Sequence, residues 1–248
     1  MNNESKEGDI SLKKPWIKRK KKQNENELLT EQSVQVEQSQ TGEELQEEAE
    51  FTSFFADVMM RMPKKSAALV MKGYDGSKAQ AEKVLAKSKD QFDQVFEEFL
   101  VGVDDETRKK AHRTIRAASL TAAIIGCSPI PFSDAVLLVP VQMTMMARLY
   151  RIFGRTWREG LAKSISKELV VVSFGRSAVG NILKFVPAVG TVAGAAINAS
   201  VASGITEALG WVTVKMLNDG EDVFEQVMSF KGQFHTLFNA LKVGKKSK

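Results

Sequence analysis

The sequence predicts an all-α protein in which two proline-broken apolar helical hairpins follow a disordered, charged N-terminal tail. Three observations carry that expectation. Apolar residues recur at helical spacing, no convincing strand alternation occurs anywhere, and the apolar stretches are interrupted by proline. With 248 residues, 43% of them hydrophobic, the chain can bury the core of one sizeable domain or two small ones.

Residues 1–48 are rich in Glu, Gln, Asn, Ser and Lys and poor in branched or aromatic apolar residues, so burial cannot offset the entropy of ordering them. Charge is segregated within this tail. "KKPWIKRKKK" carries seven positive charges in ten residues and "EELQEEAE" five negative ones in eight, within a net charge of +5 and a pI near 9.2. The basic block has three readings. It is a solvated segment; or Lys13, Lys14, Lys18, Arg19, Lys20, Lys21 and Lys22 attract anionic lipid while Trp16 enters the headgroup layer; or it holds nucleic acid by charge alone. Specific nucleic-acid recognition is not expected from a tail with one aromatic residue and no recognition motif.

A helical domain is expected over residues 51–243. "FTSFFADVMMRM" sets Phe51, Phe54, Phe55, Val58, Met59 and Met62 at helical spacing, and Pro63 ends or kinks that helix. A second helix is expected from Ser77, as N-cap, through Phe92 and Phe96 to Gly102. A third is capped at Asp104 or Asp105, with acids at its start and bases following.

Beyond Arg116 the pattern is no longer amphipathic. Up to Arg148 the only ionisable side chains are Cys127 and Asp134, and a helix apolar all round lies in protein or in lipid. Unbroken, those residues would make a helix of about 47 Å, longer than the roughly 30 Å hydrocarbon core of a bilayer. Pro129 and Pro131 divide it into two arms, the second expected to begin at Ala135 with Ser133 or Asp134 capping it. Arg108, Lys109, Lys110, Arg113 and Arg116 precede the stretch, and Arg148, Arg151, Arg155 and Arg158 follow it. If the arms meet lipid, both ends therefore belong on the cytoplasmic side.

A second uncharged segment, Phe185 to Thr206, opens with Pro187 and stacks small residues at Gly190 and Gly194 and at Ala196, Ser200 and Gly204. Such spacing allows close helix approach in a membrane or in a compact bundle. The two segments are either a weak internal pair or independent solutions. A connecting helix is expected around Leu161, Ile165, Leu169 and Val172. A final amphipathic one runs through Val223, Phe224, Val227, Met228, Phe234 and Leu241.

No catalytic constellation is found, and no cofactor is expected. "GRSAVGNI" from Gly175 has the glycines of a phosphate loop, but Asn181 and Ile182 stand where Lys and Ser/Thr are required. Cys127, the one cysteine, precludes an internal disulfide and reads as a buried inert thiol. His112 and His235 lie far apart, which argues against a metal site, and the N-terminus has no apolar signal segment, so the chain is expected inside the cell.

"IIGCSPIPFSDAVLLVPVQMTMMARLYRIFG" together with "FVPAVGTVAGAAINASVASGITEALGWVTVKML" resembles the bacterial domain-of-unknown-function family 697, the YcjF-like helical domains, over roughly residues 107–225. The matching positions are Pro129, Pro131, Asp134, Pro140, Gln142, Pro187, Gly190 and Gly194. The resemblance implies structural or interaction roles for them. It also implies a membrane-associated helical module that works with an Era-like GTPase in trans, since this chain carries no GTPase of its own. The expectation is a non-catalytic, peripheral or re-entrant module on the cytoplasmic side of the cell membrane. The alternative is a soluble helical scaffold whose apolar segments are ordinary core.

Overall fold

The computed structural model describes residues 42–87, 100–128, 137–157, 193–226, 228–234 and 236. Seven helices and no strand occur among them, so the protein is all-α. The helices are α1 (residues 42–61), α2 (Lys64–Lys72), α3 (Tyr74–Ala86), α4 (Asp105–Cys127), α5 (Leu138–Ile152), α6 (Ala193–Asn218) and α7 (residues 228–234). The chain divides into two compact units, Met1–Gln46 and Glu47–Lys248. Of the first, only residues 42–46 are described, and they are helical.

Helix α1 is already formed at residue 42, upstream of the expected onset at Phe51. The acidic run assigned to the tail has strong helix formers in Glu, Gln, Leu and Ala, and acids suit a helix N-terminus. Further along, Phe51, Phe54, Phe55, Val58 and Met62 are buried as their spacing requires. Pro63 separates α1 from α2, since it can begin a helix but not continue one.

Helix α3 starts at Tyr74 with Gly73 at its N-cap, which corrects the expected start at Ser77. Ser77 lies inside the first turn, and its N–H donates to the Gly73 carbonyl at 3.0 Å. Tertiary contacts accompany the earlier start: Tyr74 packs on Phe55 with ring centroids 5.0 Å apart, and Lys78 reaches Glu48 at 3.0 Å and lies over the Phe51 ring.

The cap of α4 is Asp104, whose carboxylate accepts the Thr107 N–H at 2.9 Å. That bond, favouring the charged form, holds the Asp104 carboxyl below its usual value. Helix α5 is described over Leu138–Ile152, the expected start at Ala135 with Ser133 or Asp134 as cap lying outside the described residues, and Pro140 falls in its first turn, where a missing N–H has no intrahelical partner to lose. Helices α5 and α6 end alike. Gly154 and Gly220 have φ of 65° and 79°, and the next residues' N–H groups reach back to Tyr150 (2.8 Å) and Met216 (2.8 Å), as in a Schellman cap.

Residues 223–225 form a turn, where the sequence suggested a continuous final helix. The Asp222 carboxylate accepts the Phe224 N–H at 2.7 Å, and the buried Tyr150 hydroxyl accepts the Val223 N–H at 3.1 Å. This local side-chain bonding competes with helix at residues 223–225, and α7 is described from residue 228. Helix α7 buries Phe230 and Phe234 but leaves Met228 exposed.

Candidate functional site

The centre of the domain is the antiparallel seam of α4 and α6. A Cβ on Gly126 would lie 2.8 Å from the Asn198 carbonyl oxygen and 2.9 Å from the Ala199 Cα, whereas a Cβ on Gly210 would lie 2.8 Å from Ile115 Cγ1. Positions 126 and 115 on α4 thus face 199 and 210 on α6, the same step of eleven residues along each helix and about three turns. At one end the two backbones touch.

The described parts of the apolar stretches belong to this core. Residues 121–128 of α4, 141–146 of α5 and 205–214 of α6 are each buried without a break, so those turns are enclosed on every side. Three threonine hydroxyls are satisfied by their own helices: Thr121, Thr206 and Thr213 donate to Ala117, Ala202 and Leu209 carbonyls at 2.7–2.8 Å. No helix among the described residues is long and apolar enough to cross a membrane. Glu207, the one carboxylate of α6, is buried in the enclosed stretch.

Cys127 lies at the end of the same seam, where its Sγ is 3.8 Å from the Ala195 carbonyl oxygen. Burial pushes the thiol pKa up to about 11, so it stays protonated near neutrality and is a poor nucleophile. Among the described residues there is no cluster of three or more His, Cys, Asp or Glu side chains able to hold a metal ion.

The positions singled out in the sequence divide in two. Pro140 and Gln142 are in α5; Pro140 is half-buried, and Gln142 is fully buried. Among the described residues neither amide atom of Gln142 has a hydrogen-bond partner, nor do the Ser119 and Thr144 hydroxyls. Gly194 is the second residue of α6. Pro129, Pro131, Asp134, Pro187, Gly190, the basic block Lys13–Lys22 with Trp16, and the glycines from Gly175 to Gly180 lie outside the described residues. Of the small-residue stack, Ala196, Ser200 and Gly204 are half-buried, and a Cβ on Gly204 would meet nothing within 4 Å.

The principal polar junction is one that the sequence did not suggest. Arg148, with its side chain 14% exposed, donates to Glu50 at 2.8 Å, to Ser53 at 3.0 Å and to Asp57, and its guanidinium lies over the Phe54 ring. Thr114 of α4 donates to the same Glu50 oxygen at 3.0 Å. Burial works against the Arg148 charge, but the hydrogen bonds and charges of Asp57 and Glu50 outweigh it and hold its pKa above the ordinary value. Other bases flanking the apolar stretch also bind protein groups. Arg108 donates to the Leu100 carbonyl at 3.1 Å, Lys110 to Glu106 at 2.6 Å, and Arg155 to the Gly220 carbonyl at 3.3 Å. In sequence these bases looked like a membrane flank, because spacing alone does not distinguish a paired base from a free one.

The profile of the family described as "Domain of unknown function (DUF697)" matches residues 91–241, more than half of the chain. The chain belongs to this family. The chain is also similar to the "Magnetosome membrane protein 22" of Magnetospirillum gryphiswaldense, 28% identical over 118 residues. That alignment covers 46% of this chain and 60% of the relative's length. No solved structure matches the chain.

Proposed function

We propose that this DUF697 protein is a non-catalytic helical module that attaches peripherally to an anionic membrane surface from the cytoplasmic side and acts beside a protein partner. The observation that carries the reading is the burial of residues 121–128 and 205–214 on all sides. Turns enclosed in this way have no apolar face left for lipid, which favours attachment through cationic surface, including Lys13–Lys22. The magnetosome relative's name, that of a membrane protein, supports the location. Resemblance to domains fused with Era-like GTPases supports a GTPase as the partner in trans. The sealed, protonated thiol of Cys127 supports a non-catalytic role.

Fractionation of cells, followed by extraction of the membrane pellet with high salt, alkaline carbonate and detergent in turn, tests the proposal. Release by salt is the expected result. Release only by detergent would contradict peripheral attachment and return the Pro129–Pro131 turn to lipid. A protein never found in the pellet would remove the membrane altogether and leave the scaffold alternative.

A further inference from the structure

The elbow formed by the end of α1 and by α2 is built unlike the rest of the described surface. No acid occurs between Asp57 and Asp75, and Asp57 is engaged with Arg148. Helix α2 turns Val70 fully inward and Ala67 partly so. At about 100° per residue, Lys64, Lys65 and Lys72 then fall on the opposite side, with Leu69 at one edge of their arc and Met71 at the other. Leu69 is 45% exposed, Met71 53% and Met60, at the end of α1, 77%.

Among the described residues the lysines of the elbow are free as well as exposed, as Lys83 and Lys87 also are, and what sets the elbow apart is the apolar tips beside them. Lys78, Lys110 and Lys215 each reach an acid within 3.0 Å, but Lys64, Lys65 and Lys72 make no ion pair or hydrogen bond among the described residues. Exposed lysine heads flanked by protruding apolar tips suit a boundary that is anionic at its surface and apolar just beneath. On nucleic acid or an acidic protein chain the lysines would find partners, but Leu69 and Met71 would gain little.

From this arrangement we infer that the α1–α2 elbow is a lipid-docking surface of the folded domain, with the three lysines on anionic headgroups and Met60, Leu69 and Met71 in the layer below. This inference rests on the peripheral-membrane reading and adds to it a contact site distinct in sequence from the basic block. Each lysine near such a surface contributes about fivefold in affinity, and the apolar tips make the contact partly resistant to salt.

The test uses the full chain carrying Leu69→Cys, labelled with an environment-sensitive fluorophore; Cys127, the chain's one native cysteine, is buried and protonated. The label is expected to shift to the blue with vesicles of equal parts phosphatidylcholine and phosphatidylglycerol, and not with phosphatidylcholine alone. Combined Lys64→Glu, Lys65→Glu and Lys72→Glu is expected to weaken vesicle binding at least tenfold with an unchanged melting temperature, these side chains being exposed. Neutralising the seven bases of Lys13–Lys22 should leave the blue shift of the bound fraction in place. Sedimentation with the anionic vesicles and an unshifted label would overturn the elbow while sparing attachment through the tail. Absence of any sedimentation would overturn both. An equal shift with duplex DNA would overturn lipid as the occupant.

Discussion

The α4–α6 seam and the attachment of α1 are both buried, yet they are held by opposite means. At the seam the contact is backbone against backbone, made possible by the missing side chain of Gly126, and the enclosed turns carry no charge except Glu207. Helix α1 is held by side chains: Phe51, Phe54, Phe55 and Val58 fill the core, and Arg148 ties Glu50, Ser53 and Asp57 to α5. Backbone contact tolerates no added atom, whereas side-chain contact can be released and remade. The described turns of the apolar stretches are therefore expected to be the fixed part of this domain, and α1 the part that is released first.

The largest effect is expected at the seam. Gly126→Ala places a Cβ inside the Asn198–Ala199 backbone, so destabilisation of about 3 kcal/mol is expected in denaturant unfolding. Gly204→Ala, with open space at its Cβ, should be neutral or slightly stabilising. Equal effects at the two glycines would break the distinction.

Next comes Arg148→Met, which leaves Glu50 and Asp57 facing each other across an apolar contact. Because both acids are partly exposed, the expected cost is about 2 kcal/mol, below that of breaking a fully buried pair. Amide exchange should rise in α1 and stay slow in α4. Uniform acceleration across both helices would show that α1 is not separately releasable.

Alkaline pH sharpens the same contrast, because the core holds two groups that resist losing a proton. Burial raises Cys127 from its ordinary 9.0 to about 11. Burial and the nearby Asp222 charge raise Tyr150 from its ordinary 10.0. Below pH 9 both folded and unfolded chains keep these protons. Above it the unfolded chain releases them first, so stability falls by roughly 1 kcal/mol per pH unit for each group in its window. Cys127→Ala should remove the part that begins near pH 9, and an unaltered profile would contradict the burial of the thiol.

The smallest effect concerns Gln142. Its amide is buried without a hydrogen-bond partner among the described residues, so the volume-conserving Gln142→Met is expected to stabilise the fold by up to about 1 kcal/mol. A clear loss of stability would mean that the amide is bonded in solution.

Much of this architecture was legible in the sequence because local chemistry decided it. The stop before Pro63, the Asp104 cap and the burial of Cys127 each follow from one residue type and its neighbours. The errors came where distant contacts won. The α3 start coincides with Tyr74 packing on Phe55 and not with Ser77, and the turn at 223–225 forms because Tyr150 and Asp222 bond its backbone. The seam glycines were missed for a plainer reason. Gly126 and Gly204 both sit in apolar helical sequence, and nothing local tells which one meets another backbone. Arg148 was read as one of a row of flanking bases, since its partners lie more than ninety residues upstream.

The central claim is that the apolar stretches are protein core and not lipid-seeking hairpins. Native-state hydrogen exchange on the full chain, in buffer without detergent and then with anionic vesicles, tests it most directly. The account predicts that residues 117–127 and 205–214 are the slowest to exchange before lipid is added and do not change when it is. Rapid exchange in buffer, with protection appearing only on the vesicles, would contradict it.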